Sequence, residues 1–430
     1  MHTKLIEEIT IKKRFLSESI KYPLFFFLIT LIIFYVYTLF YPIPTPVISE
    51  KFGLGADYLA IGDRTFYFHD NSFNYGYGEN GKLKGSFLYP LILNLLAFIV
   101  SKLGLSTISW NTAVIFLASL CAIGSLIFID KATNIIFDKK TATIACWIFV
   151  LCPYTIFYCL TGGITIYMTL GVSFFTYLIS KSKIFISSEY GTEIPLTMIF
   201  LLINTLFLSS LRPTGAIFSI LVICGLAVNL YIKSFKNLLK LSRLDKLIIY
   251  FVFAFCLVYC FYQLKVNTTY LSFTYKNLVS EGGTFFGLER QLIRDKIELI
   301  SIEDNYVVKS YFYKIVWKFT DFISGLSDIR DTHTIDGFTS FFPFFSRIFV
   351  GIFILYPINI LAFLGIFIYW KKIYNYGLWI IISASILCLL PSLLGVAFSR
   401  YLIMVYPPFI IVTAKVMSLI VSEFNQQMLE

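Results

Sequence analysis

Arg212 carries the clearest chemical signal in the chain. It is the lone charge in an apolar stretch from Leu196 to Ile232. A guanidinium stays protonated in proteins, and at membrane depth its charge is unfavourable unless it faces a wet or anionic cavity. Pro213 and Gly215 follow, and these residue types end one helix and begin another. We therefore expect Arg212 at a helix end near a membrane surface.

Arg400 is a second arginine at a predicted helix end, within the segment Phe398 to Leu402. Planar guanidinium groups bind phosphate oxygens bidentately, so Arg212 and Arg400 at one membrane surface would suit a lipid phosphate or diphosphate. The plainer alternative is that each side chain reaches the lipid headgroups or pairs with a carboxylate.

Asp57 and Asp63 are the acidic candidates, in a segment from Gly55 that ends at Tyr67. A carboxylate at a membrane border has its pKa raised by partial burial and lowered by a nearby cation, so it can act as a general base. Tyr67 is a candidate for substrate contact beside them. Alternatively, both acids cap short helices or remain solvated in a loop.

A further polar segment runs from Gly325 to His333. Within it, Arg330, Asp331 and His333 bring together side chains suited to holding a sugar. The alternative is a solvated turn.

The composition determines which elements must position these residues. Hydrophobic residues make up 58% of the 430 residues and charged residues 14%, with a mean hydropathy of +0.79. Soluble domains are about half apolar and about one quarter charged. The fold class predicted is an all-α polytopic membrane protein, because only helices or closed barrels satisfy the backbone in lipid.

Apolar segments of helical length predict about ten transmembrane helices, since about 20 residues cross the hydrocarbon core. The predicted spans are Pro23 to Pro42, Asn111 to Ile129, Thr143 to Leu160, Ile164 to Ser180, Leu196 to Leu211, Pro213 to Ile232, Leu247 to Leu264, Ile348 to Trp370, Gly377 to Val396 and Leu402 to Val421.

Basic residues in alternate connections predict the orientation, because Lys and Arg collect on the cytoplasmic side. They place both termini inside a multi-pass plasma (inner) membrane protein and residues 43–110 and 265–347 outside. The apolar segment Phe87 to Leu105 would invert every later basic loop if it crossed, so we interpret it as an interfacial helix. A true crossing there is the alternative.

These segments define three regions. Residues 1–264 form an N-terminal membrane module with an acidic first outer loop, residues 265–347 an outer loop with short amphipathic helices, and residues 348–430 the C-terminal helices. The net charge of +10 is attributed to cytoplasmic basic residues facing anionic lipid, so no nucleic acid is expected as a partner. The eight cysteines fall in apolar segments and indicate neither disulfides nor a CxxC metal site.

Several short motifs resemble the glycosyltransferase C superfamily, the polytopic enzymes that take sugars from polyprenyl-phosphate carriers. The motifs in chain order are the first outer loop with Asp63 and Tyr67, Tyr89-Pro90, Cys152-Pro153-Tyr154, Leu211-Arg212-Pro213-Thr214-Gly215, and Arg400-Tyr401 before Pro407-Pro408. The resemblance covers most of the chain.

The resemblance implies an inverting transfer from a polyprenyl-phosphate sugar donor to a glycan or lipid-linked acceptor in cell-envelope polysaccharide synthesis. Asp63 or Asp57 would be the catalytic base, and Arg212 and Arg400 would contact lipid phosphate. Many members carry an acid soon after the third helix, whereas this chain reads Leu160-Thr161-Gly162-Gly163-Ile164, so a divalent metal cofactor stays unassigned. An O-antigen or capsule repeat-unit polymerase and a polysaccharide or lipid transporter are the alternatives.

Overall fold

A computed structural model describes residues 17–40, 88–105, 107–160, 162–182, 194–238, 242–266, 356–394 and 406–427. These residues contain helices and no strand. The helices are α1 (Glu18–Phe40), α2 (Leu88–Lys102), α3 (Thr107–Ile136), α4 (Lys139–Leu151), α5 (Pro153–Leu160), α6 (Ile164–Lys181), α7 (Ile194–Leu211), α8 (Pro213–Leu238), α9 (Arg243–Val266), α10 (Tyr356–Ile368), α11 (Trp370–Asn375), α12 (Leu378–Leu394) and α13 (Tyr406–Gln427).

The described helices make this an all-helical, membrane-embedded protein. Six of them, α1, α3, α6, α8, α9 and α13, contain segments long and apolar enough to cross a membrane. Shorter apolar helices overlap three further predicted spans, at Pro195–Leu211, Tyr356–Ile368 and Leu378–Leu389. The total of about ten crossings stays a prediction.

One predicted span is wrong as a single helix. The segment Thr143 to Leu160 is divided into α4 and α5 by Cys152, whose backbone is extended, with φ −67° and ψ 113°. Pro153 causes the break, because a proline disfavours helical geometry in the residue before it and donates no hydrogen bond to the preceding turn. At 1.5 Å per residue, the 13 residues of α4 extend only about 20 Å, so the break lies well inside the length of a membrane crossing.

The most buried of the six long helices is α6. Buried residues make up 78% of α6, against 22% of the apolar window of α1. Its neighbours are α3, α5, α7, α12 and α13. Close packing depends on glycine at two places: a Cβ on Gly124 would lie 2.8 Å from Leu170 Cδ1, and one on Gly171 would lie 2.5 Å from Leu208 Cδ2.

Hydroxyl groups are buried in α6 without needing partners from other helices. Thr169, Ser173, Thr176 and Ser180 each donate to the carbonyl oxygen four residues earlier, at 2.7 to 2.9 Å. Such bonds satisfy a hydroxyl within its own helix. A helix with several polar residues can therefore occupy the centre of a membrane bundle.

The bundle has two ends that differ in chemistry. We call the end with the turn between α7 and α8 the Arg212 end. The opposite end, which carries Lys131, Lys139, Lys181 and Lys415, we call the lysine end. By the charge pattern of the sequence, the Arg212 end is predicted to be extracytoplasmic.

Helix α2 begins and ends at the Arg212 end. The hydroxyl of Tyr89, in its first turn, donates to the carbonyl of Gly162 at 2.6 Å. A Cβ on Gly162 would lie 2.2 Å from Cγ1 of Val114, in the early part of α3. After α2, Gly104 adopts a left-handed conformation with φ 65°, and the chain enters α3. We therefore retain the prediction that this segment does not cross the membrane.

At the lysine end, Asp130 and Asp138 connect helices through hydrogen bonds and an ion pair. Asp130 is 4% exposed and accepts hydrogen bonds from the hydroxyls of Ser17, at 2.8 Å, and Ser19. Asp138 caps α4 by accepting from the Thr141 backbone N–H at 2.8 Å, and its other oxygen lies 3.1 Å from Lys415 Nζ. Lys415 is thus paired across the bundle with a residue 277 positions earlier in the chain.

We predict that Asp138→Ala destabilises the protein by about 1 kcal/mol and that Asp138→Asn costs less, because asparagine still caps a helix. The Asp138 side chain is 44% exposed, so the ion pair itself adds less than about 1 kcal/mol. Thermal unfolding of detergent-purified protein at neutral pH measures the difference. Equal losses for both variants would contradict the capping role.

The same residue predicts a pH dependence. Burial raises the pKa of Asp138, but hydrogen bonds from Thr141 and Lys415 outweigh it and hold the pKa below its usual 3.8. Because the folded pKa is the lower one, the carboxylate stabilises the fold above about pH 4, and this contribution is lost as the pH falls through the folded pKa. The stability gap between the native protein and Asp138→Asn should therefore shrink below about pH 4.

Candidate functional site

The turn between α7 and α8 consists of Arg212 alone. Its backbone N–H donates to Leu208 O at 3.4 Å, and its carbonyl accepts from the N–H groups of Gly215, at 2.9 Å, and Ala216, at 3.3 Å. Arg212 thus ends one helix and accepts the first bonds of the next. Pro213 at the first position of α8 suits the turn, because an N–H there would have no helical partner.

Glycine at position 215 makes this turn possible. A Cβ there would lie 2.1 Å from Leu208 O and 3.1 Å from Met168 Cε. A backbone oxygen cannot move aside as the end of a flexible side chain can. The first turn of α8 therefore packs on the last turn of α7 and on α6 at a distance that only glycine allows.

Arg212 is 6% exposed in this turn. Its neighbours Ser209, Ser210 and Leu211 are buried as well. A charge enclosed in this way acts over a longer range than one in water, because the surrounding dielectric constant is low. The Arg212 end therefore presents a buried positive charge, in the position along the chain that the sequence predicts.

A polar chain from α9 supports the turn. The hydroxyls of Ser210 and Tyr259 share a hydrogen bond of 2.6 Å, and Gln263 Nε2 donates to Tyr259 Oη at 2.9 Å. These residues fix the last turn of α7, two residues before Arg212. Sequence reasoning missed them, although a glutamine four residues after a tyrosine in an apolar helix is a detectable signal.

Two tyrosines line the neighbouring part of the Arg212 end. The rings of Tyr89 and Tyr167 meet edge to face with centroids 5.5 Å apart. Met168, next to Tyr167, contacts the Gly215 position of the turn. The start of α2, the start of α6 and the Arg212 turn therefore form one wall, which we call the Arg212 wall.

A second polar position lies beside the helix break. Tyr406 begins α13, is 2% exposed, and lies within electrostatic range of Cys152. Among the described residues, its hydroxyl has no hydrogen-bond partner. Buried polar groups are nearly always bonded, so we expect this hydroxyl to have a partner outside the described residues.

Tyr406 also lies within the last predicted span, Leu402 to Val421. The structure describes that span from Tyr406 onward, in a helix that runs to Gln427. Tyr406 is nine residues before Lys415, or about 14 Å along the helix. Because Lys415 is joined to Asp138 at the lysine end, α13 begins near the depth at which α4 ends.

The structure describes one of the predicted site residues, Arg212. The others, Asp57, Asp63, Tyr67, Arg330, Asp331, His333 and Arg400, lie outside the described residues. Their convergence on the Arg212 wall stays a prediction. Within the described part of the chain, no group of three or more His, Cys, Asp or Glu residues could hold a metal ion, and the metal stays unassigned.

Comparisons with protein-family models, with curated proteins and with solved structures give no match to this chain. The function proposed below therefore depends on the residues themselves.

Proposed function

We propose that this protein is a membrane glycosyltransferase. It would transfer a sugar from a polyprenyl-phosphate carrier to a glycan or lipid-linked acceptor at the extracytoplasmic face of the plasma membrane. The observation that carries the proposal is the buried Arg212 guanidinium in the one-residue turn between α7 and α8. A fixed, enclosed cation at a membrane boundary suits a ligand whose phosphate also lies at that boundary.

The chemistry assigned to Arg212 is stabilisation of the leaving group. In the transfer, the acceptor oxygen forms a bond to the anomeric carbon, and the bond from that carbon to the phosphate oxygen breaks with its electron pair. Negative charge grows on the lipid phosphate during this step. A cation held in place beforehand stabilises that charge without having to reorganise. Arg400 is proposed to share this role.

The proton of the acceptor hydroxyl needs a base, and Asp63 or Asp57 is proposed for it. A carboxylate at the membrane border accepts the proton as the oxygen attacks. Tyr67, Arg330, Asp331 and His333 are proposed to bind the sugar or the acceptor. Tyr89 and Tyr167 of the Arg212 wall are buried and support this side from within the protein.

A second candidate function is a polysaccharide or lipid transporter, and the break at Cys152 specifically favours it. Transporters often bind their substrates at interrupted helices within the membrane, where helix ends and unpaired polar groups face a cavity. The break between α4 and α5 supplies an interrupted helix, and the Tyr406 hydroxyl is a buried polar group without a hydrogen-bond partner among the described residues.

We predict that Arg212→Lys weakens binding of a polyprenyl-phosphate sugar and slows transfer by about 10-fold to 100-fold. Lysine keeps the charge and can donate one hydrogen bond, but it loses the second of the guanidinium's two parallel bonds, which is worth about 1.5 to 3 kcal/mol when charged. Donor binding and product formation are measured with purified protein in nanodiscs. Arg243→Lys, at the exposed start of α9, is the matched control, because it makes the same exchange at the other end of the bundle.

Unchanged donor affinity in Arg212→Lys, with the control also unchanged, would remove Arg212 from the phosphate site. An unfolded Arg212→Lys variant would be recognised by its melting curve. In that case the Tyr259→Phe variant, which alters the support of the turn and keeps Arg212, should still reduce transfer by a smaller factor.

We predict that Asp63→Asn or Asp57→Asn lowers transfer at least 100-fold with donor binding retained, because general-base catalysis contributes about 10²-fold to 10⁴-fold. The measurement is product formation at saturating donor, followed by separation of products by length. One added sugar identifies a transferase, a ladder of repeats a polymerase, and vectorial movement without bond formation a transporter. Full activity in both variants would contradict the proposed mechanism.

A further inference from the structure

Lysines at the lysine end fall into two groups by their partners. Lys139 lies 2.5 Å from Glu18, and Lys415 lies 3.1 Å from Asp138. Within the part of the chain that the structure describes, Lys131 and Lys181 have no carboxylate partner. Their positive charges are therefore not neutralised by the fold.

Lys131 and Lys181 converge on the same tyrosine. Lys131 Nζ lies 5.9 Å from the centroid of the Tyr177 ring, and Lys181 Nζ lies 5.8 Å from it. The two ammonium groups are consequently within about 12 Å of each other. Ring faces attract each cation, but the two cations repel one another. An anion between them would remove that repulsion.

A strip of aromatic rings leads from this pair into the membrane. Tyr177 stacks on Phe128 with centroids 5.6 Å apart, Phe128 meets Phe174 at 4.8 Å, and Phe174 meets Phe200 at 5.8 Å. Phe174 lies one turn further along α6 from Lys181 than Tyr177 does, and Phe200 is 39% exposed. The strip thus joins a polar rim to the lipid-facing surface of α7.

We propose that Lys131, Lys181 and Tyr177 bind the phosphate of an anionic phospholipid, with an acyl chain lying along Phe128, Phe174 and Phe200. The lysine pair and the aromatic strip together favour an anionic phospholipid over other ligands. Free phosphate would make no use of the aromatic strip, and a zwitterionic lipid would bring its own ammonium group close to two lysines. The phosphate accepts hydrogen bonds from the ammonium groups as it neutralises them.

The test measures lipids retained by the purified full-length protein. Phosphatidylglycerol and phosphatidylcholine with identical acyl chains are titrated in detergent and counted by native mass spectrometry. The native protein should prefer phosphatidylglycerol, and Lys131→Gln combined with Lys181→Gln should reduce that preference by about 30-fold, since each basic residue near a surface contributes about one factor of five. Each single variant should reduce the preference for phosphatidylglycerol by about 5-fold.

Lys102→Gln is the control, because Lys102 also lies over one ring, Phe98 at 5.6 Å, but at the Arg212 end. It should leave the preference unchanged. A preference retained in the double variant would overturn the proposal. If excess inorganic phosphate displaces phosphatidylglycerol completely, the site recognises phosphate alone and the lipid assignment is wrong. If the double variant fails to fold, the two single variants decide the outcome.

Discussion

The turn between α7 and α8 exists because Gly215 leaves room for the carbonyl oxygen of Leu208, and that turn holds a guanidinium inside the protein. The contact is steric, but its consequence is electrostatic. A longer connection would let Arg212 extend into water, where its field is screened over about 10 Å. In the one-residue turn, the Arg212 side chain is buried.

Helices around this turn are organised by the need to satisfy polar groups without water. In α6 the hydroxyls bond within their own helix, whereas Tyr259 and Gln263 of α9 bond to one another and to Ser210. At the lysine end, ion pairs between helices satisfy polar groups, as in the pair of Lys415 and Asp138. At the helix break, the backbone N–H and carbonyl of Cys152 are both bonded, whereas the buried Tyr406 hydroxyl has no hydrogen-bond partner among the described residues.

Local features of the sequence predicted the helices well. Apolar length located the helical segments, and the Arg-Pro-Thr-Gly motif located the turn at Arg212, because both depend on neighbouring residues. The break before Pro153 was missed, since the segment remains apolar through it and length alone suggests one crossing.

Contacts between distant segments could not be predicted from the sequence. Asp138 and Lys415 are 277 residues apart, and nothing local couples them. Helices such as α1 are apolar on every face, so their sequences do not show which face packs inward. For the same reason, the meeting of Asp63 with Arg212 is a prediction about tertiary structure, which short motifs support but do not determine.

Cysteine labelling across the membrane determines whether Asp63 and Arg330 lie on the same side as the Arg212 end. Single cysteines at positions 63, 102 and 330, in a variant without the native cysteines, are treated with a membrane-impermeant thiol reagent on intact cells or sealed vesicles of known orientation. Position 102 represents the Arg212 end, because Lys102 is exposed there whereas Arg212 is buried. We expect all three to react from the extracytoplasmic side, whereas a cysteine at position 139 reacts only after permeabilisation. Reaction of position 102 from the side opposite to position 63 would show that Asp63 and Arg212 do not share one site.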